Sequence, residues 1–233
     1  MGGVKKEYCL LPGTDRTVLA HSVSAFTAFP CINRILIIVP ADAETGEAVA
    51  RRALPLELLA DTRIDFTVGC RSRRASVHNG LKALRDYNPD YVLIHDACRP
   101  FVSARLIQAI LDSVQQHQAI IPLLPLIDTP KEISQSLESN SEPVIVMRHV
   151  PRHLMGIAQT PQAFDFAGIL GAHEKALQRS VERTVVRLDP RENSACYEYT
   201  DDAEVWGEFC SPVMAIPGEE ENRKITFPHD LRL

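Results

Sequence analysis

The sequence predicts a doubly wound α/β domain built on a mostly parallel sheet, and three observations carry that expectation. Apolar runs at 34–40, 63–68, 91–94 and 119–124 alternate with helical stripes, the βαβα order of doubly wound folds. The run Tyr91-Val92-Leu93-Ile94 has no polar face, as expected of a strand covered on both sides. It breaks at once into His95-Asp96-Ala97-Cys98-Arg99-Pro100, where Pro100 fixes φ and cannot extend a ladder. An acid and a base therefore stand at the carboxyl end of a buried strand, where open α/β sheets bind their ligands.

Each element has its own warrant. Residues 17–29 carry Val18, Leu19, Val23, Phe26 and Phe29 on a helical stripe, and 34–40 follows as a buried strand. Residues 54–59 are apolar but short, and 63–68 alternates into a second strand. Between 76 and 87 Val77, Leu81 and Leu84 share a face, with Ser76 placed as the N-cap. After the strand at 91–94, Ser103 caps a helix whose stripe is Leu106, Ile107, Ile110, Leu111 and Val114, and 119–124 is again a strand. Residues 131–148 break the rhythm. They read as two extended pieces around a polar turn at 138–143, either an arm that grips a partner subunit or a surface loop. Thr200 stands where it can cap a helix through Ala203, Val205 and Trp206.

Composition narrows the function. The 233 residues, 45% of them apolar, suit one domain over 1–233. A net charge of −5 argues against nucleic-acid or anionic-membrane partners, although Arg71-Ser72-Arg73-Arg74 is locally basic. No apolar run is long enough to span a bilayer, and the charged opening lacks a secretory core, so a cytoplasmic protein is expected. The six cysteines have no CxxC spacing and read as reduced thiols rather than a zinc or disulfide framework. Neither G-x-G-x-x-G nor a P-loop occurs. In His95–Pro100, Asp96 can bind a metal or a sugar hydroxyl and Arg99 can fork onto a phosphate or carboxylate. The plainer alternative is an Asp96–Arg99 ion pair closing a turn.

A series of motifs then runs along nearly the whole chain. It begins with Lys5-Lys6-Glu7-Tyr8, Val18-Leu19-Ala20-His21-Ser22 and Arg73-Arg74-Ala75-Ser76-Val77-His78-Asn79-Gly80-Leu81. After His95–Pro100 come Asp128-Thr129-Pro130-Lys131, Gln159-Thr160-Pro161-Gln162, Thr200-Asp201-Asp202-Ala203 and Asn222-Arg223-Lys224-Ile225-Thr226. In this order the chain resembles the 2-C-methyl-D-erythritol 4-phosphate cytidylyltransferases, a family of nucleotide-sugar transferase type in non-mevalonate isoprenoid synthesis. The resemblance implies attack of a methylerythritol phosphate oxygen on the α-phosphorus of CTP, with release of pyrophosphate. That chemistry needs positioning and charge neutralisation more than covalent help.

The resemblance also implies residue roles. Lys6 matches the lysine that stabilises the transition state, and Lys224 and Arg152 match cations that hold the methylerythritol phosphate. Arg99 and Thr129 match further substrate contacts, while Thr160 and Thr200 match threonines lining the site. Cys70, Arg71, Arg73 and Ser76 are expected to select the cytosine nucleotide. Asp96 and Ala97 are expected beside the ribose, with Asp96 also a possible ligand of the Mg²⁺ that bridges the triphosphate. Gly69-Cys70 replaces the usual pair of glycines, which puts a side chain where the base approaches. A homodimer is expected through the arm at 131–148.

One expected part is missing. A first strand and a Gly-rich loop carrying an arginine would precede Met1, so a longer N-terminus is expected. Two other readings compete: a relative acting on ribitol 5-phosphate or another polyol phosphate, and a non-catalytic remnant that only binds or dimerises.

Overall fold

The computed structural model describes residues 5–40, 43–135, 137, 143–186 and 199–231. In chain order the larger elements are α1 (Val18–Thr27), β1 (Ile35–Val39), α2 (Ala43–Arg52), α3 (Leu56–Leu59) and β2 (Ile64–Val68). Then come α4 (Arg73–Leu84), β3 (Tyr91–Ile94), α5 (Ala104–His117) and β4 (Ala119–Pro125). β5 (Lys131–Ile133), β6 (Val146–His149), β7 (Gly156–Ala158), β8 (Gln162–Asp165), α6 (Phe166–Val186), α7 (Asp202–Phe209) and β9 (Met214–Pro217) follow. Among the described residues no helix is long and apolar enough to cross a membrane.

β1 and β2 pair in parallel from Ile35 opposite Ile64 to Val39 opposite Val68. β3 and β4 both lie antiparallel to β8, and β9 joins β4 in parallel, so β3, β4 and β9 run one way. β7 pairs with β4 against that direction, as β8 does. The expected α/β class and predominantly parallel sense are therefore present, with β7 and β8 reversed.

Alternation along the central strands divides the core between two faces. Ile120 and Ala163 pack with Phe26 of α1 and with Ile107, Ile110 and Val114 of α5. Their neighbours Ala119 and Phe164 pack with Leu81 of α4, Ile169 of α6 and Trp206 of α7. Of the stripes read from the sequence, Val18, Leu19, Val23 and Phe26 of α1 and Leu106, Ile107, Ile110 and Val114 of α5 are buried, with Phe29 and Leu111 partly so, and Thr17 and Ser103 cap these helices by accepting from Ala20 N and Leu106 N.

Three local expectations are corrected. α4 starts at Arg73, and its cap is Ser72, which accepts from Ala75 N; Ser76 lies one turn inside and donates back to Ser72 O. The earlier serine wins because its extended backbone leaves the hydroxyl free to meet the first amides, while a serine within the helix bonds backwards. α7 is capped by Asp201, not Thr200, since the Asp201 carboxylate accepts from Glu204 N. β3 is only half-buried, with Tyr91 36% exposed.

That exposure has a cause in the topology. Among the described residues β1 pairs only with β2 and β3 only with β8, so each keeps an unpaired edge. Both strands line one cavity of about 1450 Å³, walled also by Val23 and Phe26 of α1, Leu81 of α4 and Leu111 of α5. The apolar part of this cavity is a slot along the β1 and β3 edges, and its polar end reaches Lys5, Cys70, Arg73 and Asp96.

Candidate active site

The site is built on the loop that leaves β3. A single hydroxyl fixes its start: Thr160 Oγ1 accepts from Asp96 N at 3.0 Å and lies 3.0 Å from His95 Nδ1. The other ring nitrogen, Nε2, lies 3.1 Å from Arg99 O, which can only accept. His95 therefore carries its proton on Nε2, and the Thr160 hydroxyl donates to Nδ1. Burial pushes the His95 pKa down to about 4, so the ring is neutral at neutral pH. With ring and hydroxyl locked, the Asp96 backbone is placed before any ligand arrives.

Four charges meet beyond it. Lys224 Nζ is 3.0 Å from Asp96 Oδ2, and Arg99 Nε is 3.4 Å from the same oxygen, a charge contact rather than a hydrogen bond. Burial alone would raise the Asp96 carboxyl, but Lys224, then Arg73 and Arg99, outweigh it and hold it below its ordinary value. Both neighbouring cations approach Oδ2, which leaves Oδ1 to take a hydroxyl or a metal.

Arg99 is more strut than substrate fork. It is buried, donates from Nη1 to Asn222 O at 2.7 Å, and reaches Ala158 O from Nη2 at 3.5 Å. Asn222 is fully buried and donates to Thr160 O at 2.8 Å, and Gln159 donates to Glu219 O and Asn222 O. These amides tie the Lys224 loop to the strand ends, and neither Asn222 nor Gln159 was singled out from the sequence. Polar residues inside the quoted motifs were the available signal, since a buried amide must find partners.

At the nucleotide end, Gly69 and Ser76 interlock. A Cβ on Gly69 would lie 2.9 Å from Ser76 Oγ and 3.1 Å from Val39 O, so a side chain there would force Ser76 or the end of β1 to shift. The Ser76 hydroxyl accepts from Cys70 N at 2.8 Å. The close packing at Gly69 is thus against Ser76 and β1, while Cys70 is exposed with its sulfur accepting from Asn79 Nδ2 at 3.1 Å. Cys70, Arg73, Ser76, Asp96 and Ala97 line the cavity together. Arg71 is exposed and absent from that lining.

Lys6 opens a 3-10 turn (Lys6–Tyr8) that packs on α1, and its neighbours Lys5, Glu7 and Tyr8 line the cavity. Cys98, two residues beyond Asp96, is an unreactive thiol: burial, then Glu7, pushes it up to about 11, against a pull from Lys6. Other expected residues lie outside this cluster. Thr129 is exposed in the loop between β4 and β5, and Arg152 donates to Ile127 O at 2.7 Å beside the arm. Thr200 is exposed, bonded through its amide and hydroxyl to Glu204. The strands of the arm, β5 and β6, pair antiparallel, while its tip at 138–142 is outside the described residues.

An α/β sheet ending in a cation-held aspartate beside a close glycine approach is an arrangement suited to nucleotidyl transfer, and known structures agree. The 2-C-methyl-D-erythritol 4-phosphate cytidylyltransferase from Thermus thermophilus superposes with a TM-score of 0.70 at 29% identity, over 97% of this chain and 90% of that one. The 4-diphosphocytidyl-2C-methyl-D-erythritol synthase from Anaerococcus prevotii gives a TM-score of 0.76 at 27% identity, over 100% of this chain and 89% of that one. A bifunctional enzyme IspD/IspF from Bartonella bacilliformis is 34% identical over 216 residues, 92% of this chain but 47% of that protein. The chain thus spans about half the length of the curated relatives it matches. The model of the family IspD, 2-C-methyl-D-erythritol 4-phosphate cytidylyltransferase, matches residues 1–233, and the chain belongs to that family of nucleotidyltransferases.

Proposed function

We propose that this chain transfers a cytidylyl group from CTP to 2-C-methyl-D-erythritol 4-phosphate. The acceptor oxygen attacks the α-phosphorus, pyrophosphate leaves, and 4-diphosphocytidyl-2-C-methyl-D-erythritol is formed. The observation that carries the reading is the Asp96 carboxylate held by Lys224, Arg99 and Arg73 at the polar end of the cavity. In this assignment Gly69, Cys70, Arg73 and Ser76 receive the nucleotide, Lys6 neutralises charge at the reacting phosphoryl, and Lys224 meets the polyol phosphate. Arg152, Thr129 and Thr200 complete the acceptor end from the arm and from the start of α7. The test is pyrophosphate release from CTP with each polyol phosphate. A higher kcat/KM for ribitol 5-phosphate would overturn the acceptor assignment, and no release with either would overturn the activity.

Mg²⁺ fits this site as a companion of the triphosphate. Among the described residues no three His, Cys, Asp or Glu side chains gather to hold a metal by themselves. A single carboxylate with one oxygen left over, beside a polyphosphate, is how Mg²⁺ is commonly held, and Asp96 offers that oxygen. When bound, the ion would neutralise charge on the phosphates. The protein's own part is to keep Asp96 ionised and fixed. The cytoplasm, where CTP is available, is the assigned compartment.

The slot between β1 and β3 is assigned to one further extended segment that pairs with both edges. Two unpaired edges on one apolar cavity support this, because such edges are costly to leave open. Supplying a strand-forming peptide that fills the slot should raise Tm by roughly 6–12 °C, from about 3 kcal/mol of new pairing and burial. Amides of β1 and β3 should gain protection from hydrogen exchange. Unchanged exchange at both edges would reject the assignment.

A homodimer is assigned through the arm. Ile145 and Met147 are 68% and 63% exposed, and Val146 between them is also exposed, an apolar run with little use on a solvated hairpin. Replacing 131–148 with a short Gly-Ser turn should give a monomer and raise KM for the polyol phosphate about tenfold. A shortened protein that stays dimeric with wild-type KM would show that the arm is only a loop.

A further inference from the structure

We propose that Asp202 is a positioning residue for nucleotide binding: it holds the Arg73 guanidinium at the edge of the cavity, and His173 braces Asp202 from the protein interior. The proposal rests on the reading of Arg73 as a nucleotide contact.

The geometry is a buried polar string. Asp202, the first residue of α7, is fully buried. Its Oδ2 accepts from Arg73 Nη2 at 2.8 Å, across 129 positions of sequence. Its Oδ1 lies 3.1 Å from His173 Nε2. A carboxylate at that distance only accepts, so Nε2 of His173 carries the proton. His173 is itself fully buried, and the His78 ring stacks on it with centroids 6.1 Å apart and planes 10° from parallel. The surrounding core is apolar, with Val77, Leu81, Ile169, Ala203 and Trp206.

Stability alone does not account for this string. Replacing a buried ion pair by well-packed apolar residues is often neutral or stabilising. Arg73 also occupies the first turn of α4, the end of a helix where the macrodipole disfavours a cation. The pair gives Arg73 a fixed direction. The arginine lines the cavity with Cys70, Ser76 and Asp96, whereas Asp202 does not. One nitrogen, Nη2, is tied to Asp202, and the side chain remains 36% exposed, so the rest of the fork can meet a ligand. Burial would weaken the guanidinium's charge, but Asp202, followed by Asp96 and Asp201, outweighs it and keeps the side chain protonated. A guanidinium already aimed loses less freedom when it binds a phosphate or a base.

Asp202→Asn keeps the shape and one acceptor oxygen but removes the charge. Measured by equilibrium titration of the full chain with CTP, it should weaken binding about tenfold, with KM for the polyol phosphate unchanged. Arg73→Ala should weaken CTP binding at least as much, and adding Asp202→Asn to it should change nothing further, because the two act as one unit. A purely structural aspartate would lower Tm and leave CTP affinity intact, or would add its full effect in the Arg73→Ala background; either result overturns the proposal. If Asp202→Asn does not fold, Arg73→Lys decides. Lysine is a point charge without the planar fork, and an ammonium drawn onto the fully buried Asp202 sits back from the cavity edge, so affinity should fall about as far as in Arg73→Ala, and wild-type affinity would overturn the proposal. A wild-type chain that does not bind CTP overturns the nucleotide reading, and this proposal with it. Wild-type binding with an unaffected Asp202→Asn overturns the proposal alone.

Discussion

Lys6→Ala is expected to lower kcat by about two to three orders of magnitude, with KM for CTP changed only a few-fold. A lysine that neutralises charge developing on a phosphoryl group acts mainly in the transition state, so its loss appears in kcat. Lys6 opens the turn that lies against the Asp96 loop, and its charge reaches the Cys98 thiol there. A compact ammonium on a flexible stem can follow the phosphoryl oxygens as they move, which a rigid fork does less well. Its neighbour makes the experiment discriminating. Lys5 lines the cavity and is exposed, so proximity to the cavity alone would favour Lys5. Lys5→Ala is expected to cost less than tenfold. A silent Lys6→Ala beside a damaging Lys5→Ala would transfer the role to Lys5, and two silent variants would remove lysine from this end of the site.

Much of this architecture was legible in the sequence because local signals agreed with the fold. The α1 and α5 stripes, the α5 cap at Ser103, and the break after Ile94 each followed from spacing and residue type. α2 was not read, since its polar sequence with Gly46 inside carries no wide apolar stripe. Caps failed where two candidates competed within one turn. Ser72 against Ser76 and Asp201 against Thr200 are separated by backbone conformation, which residue type does not encode. The reversed directions of β7 and β8 were illegible for a related reason: short strands read alike either way along a sheet.

The site was legible as motifs but not as a network. His95 and Asp96 stood out by their place after β3, yet the sequence carries no sign that Thr160 binds both. Arg99 was read as an ion pair or a substrate fork. It makes the charge contact, but its donors go largely to backbone carbonyls brought in from Asn222 and Ala158. Asp202 stood in the sequence only as part of the Thr200–Ala203 motif, and the fold buries it beneath Arg73. Long-range pairing of this kind depends on how α4, α6 and α7 pack, and no local pattern reports it.

Lys224→Ala should raise KM for the polyol phosphate about tenfold to a hundredfold, the usual range for losing a charged hydrogen bond. It should also shift the acid limb of the activity profile upward. Lys224 is the strongest of the three cations that hold Asp96 low, ahead of Arg73 and Arg99, and burial acts in the opposite sense. The wild-type carboxyl is therefore ionised down to a pH below its ordinary 3.8, and its contribution is lost only as pH falls through that lowered value. Without Lys224, burial is less well opposed, the carboxyl rises, and the loss begins at a higher pH. Both effects come from one ammonium 3.0 Å from Asp96 Oδ2, but they separate experimentally. Lys224→Arg should restore most of the pH profile, since any cation there supports the aspartate. It should restore less of KM, because a planar fork does not reproduce a point charge on the phosphate. A raised KM with an unmoved acid limb would confine Lys224 to the phosphate and leave Asp96 to Arg73 and Arg99. If neither KM nor the acid limb moves, the ion pair is only a surface contact and the acceptor phosphate binds elsewhere.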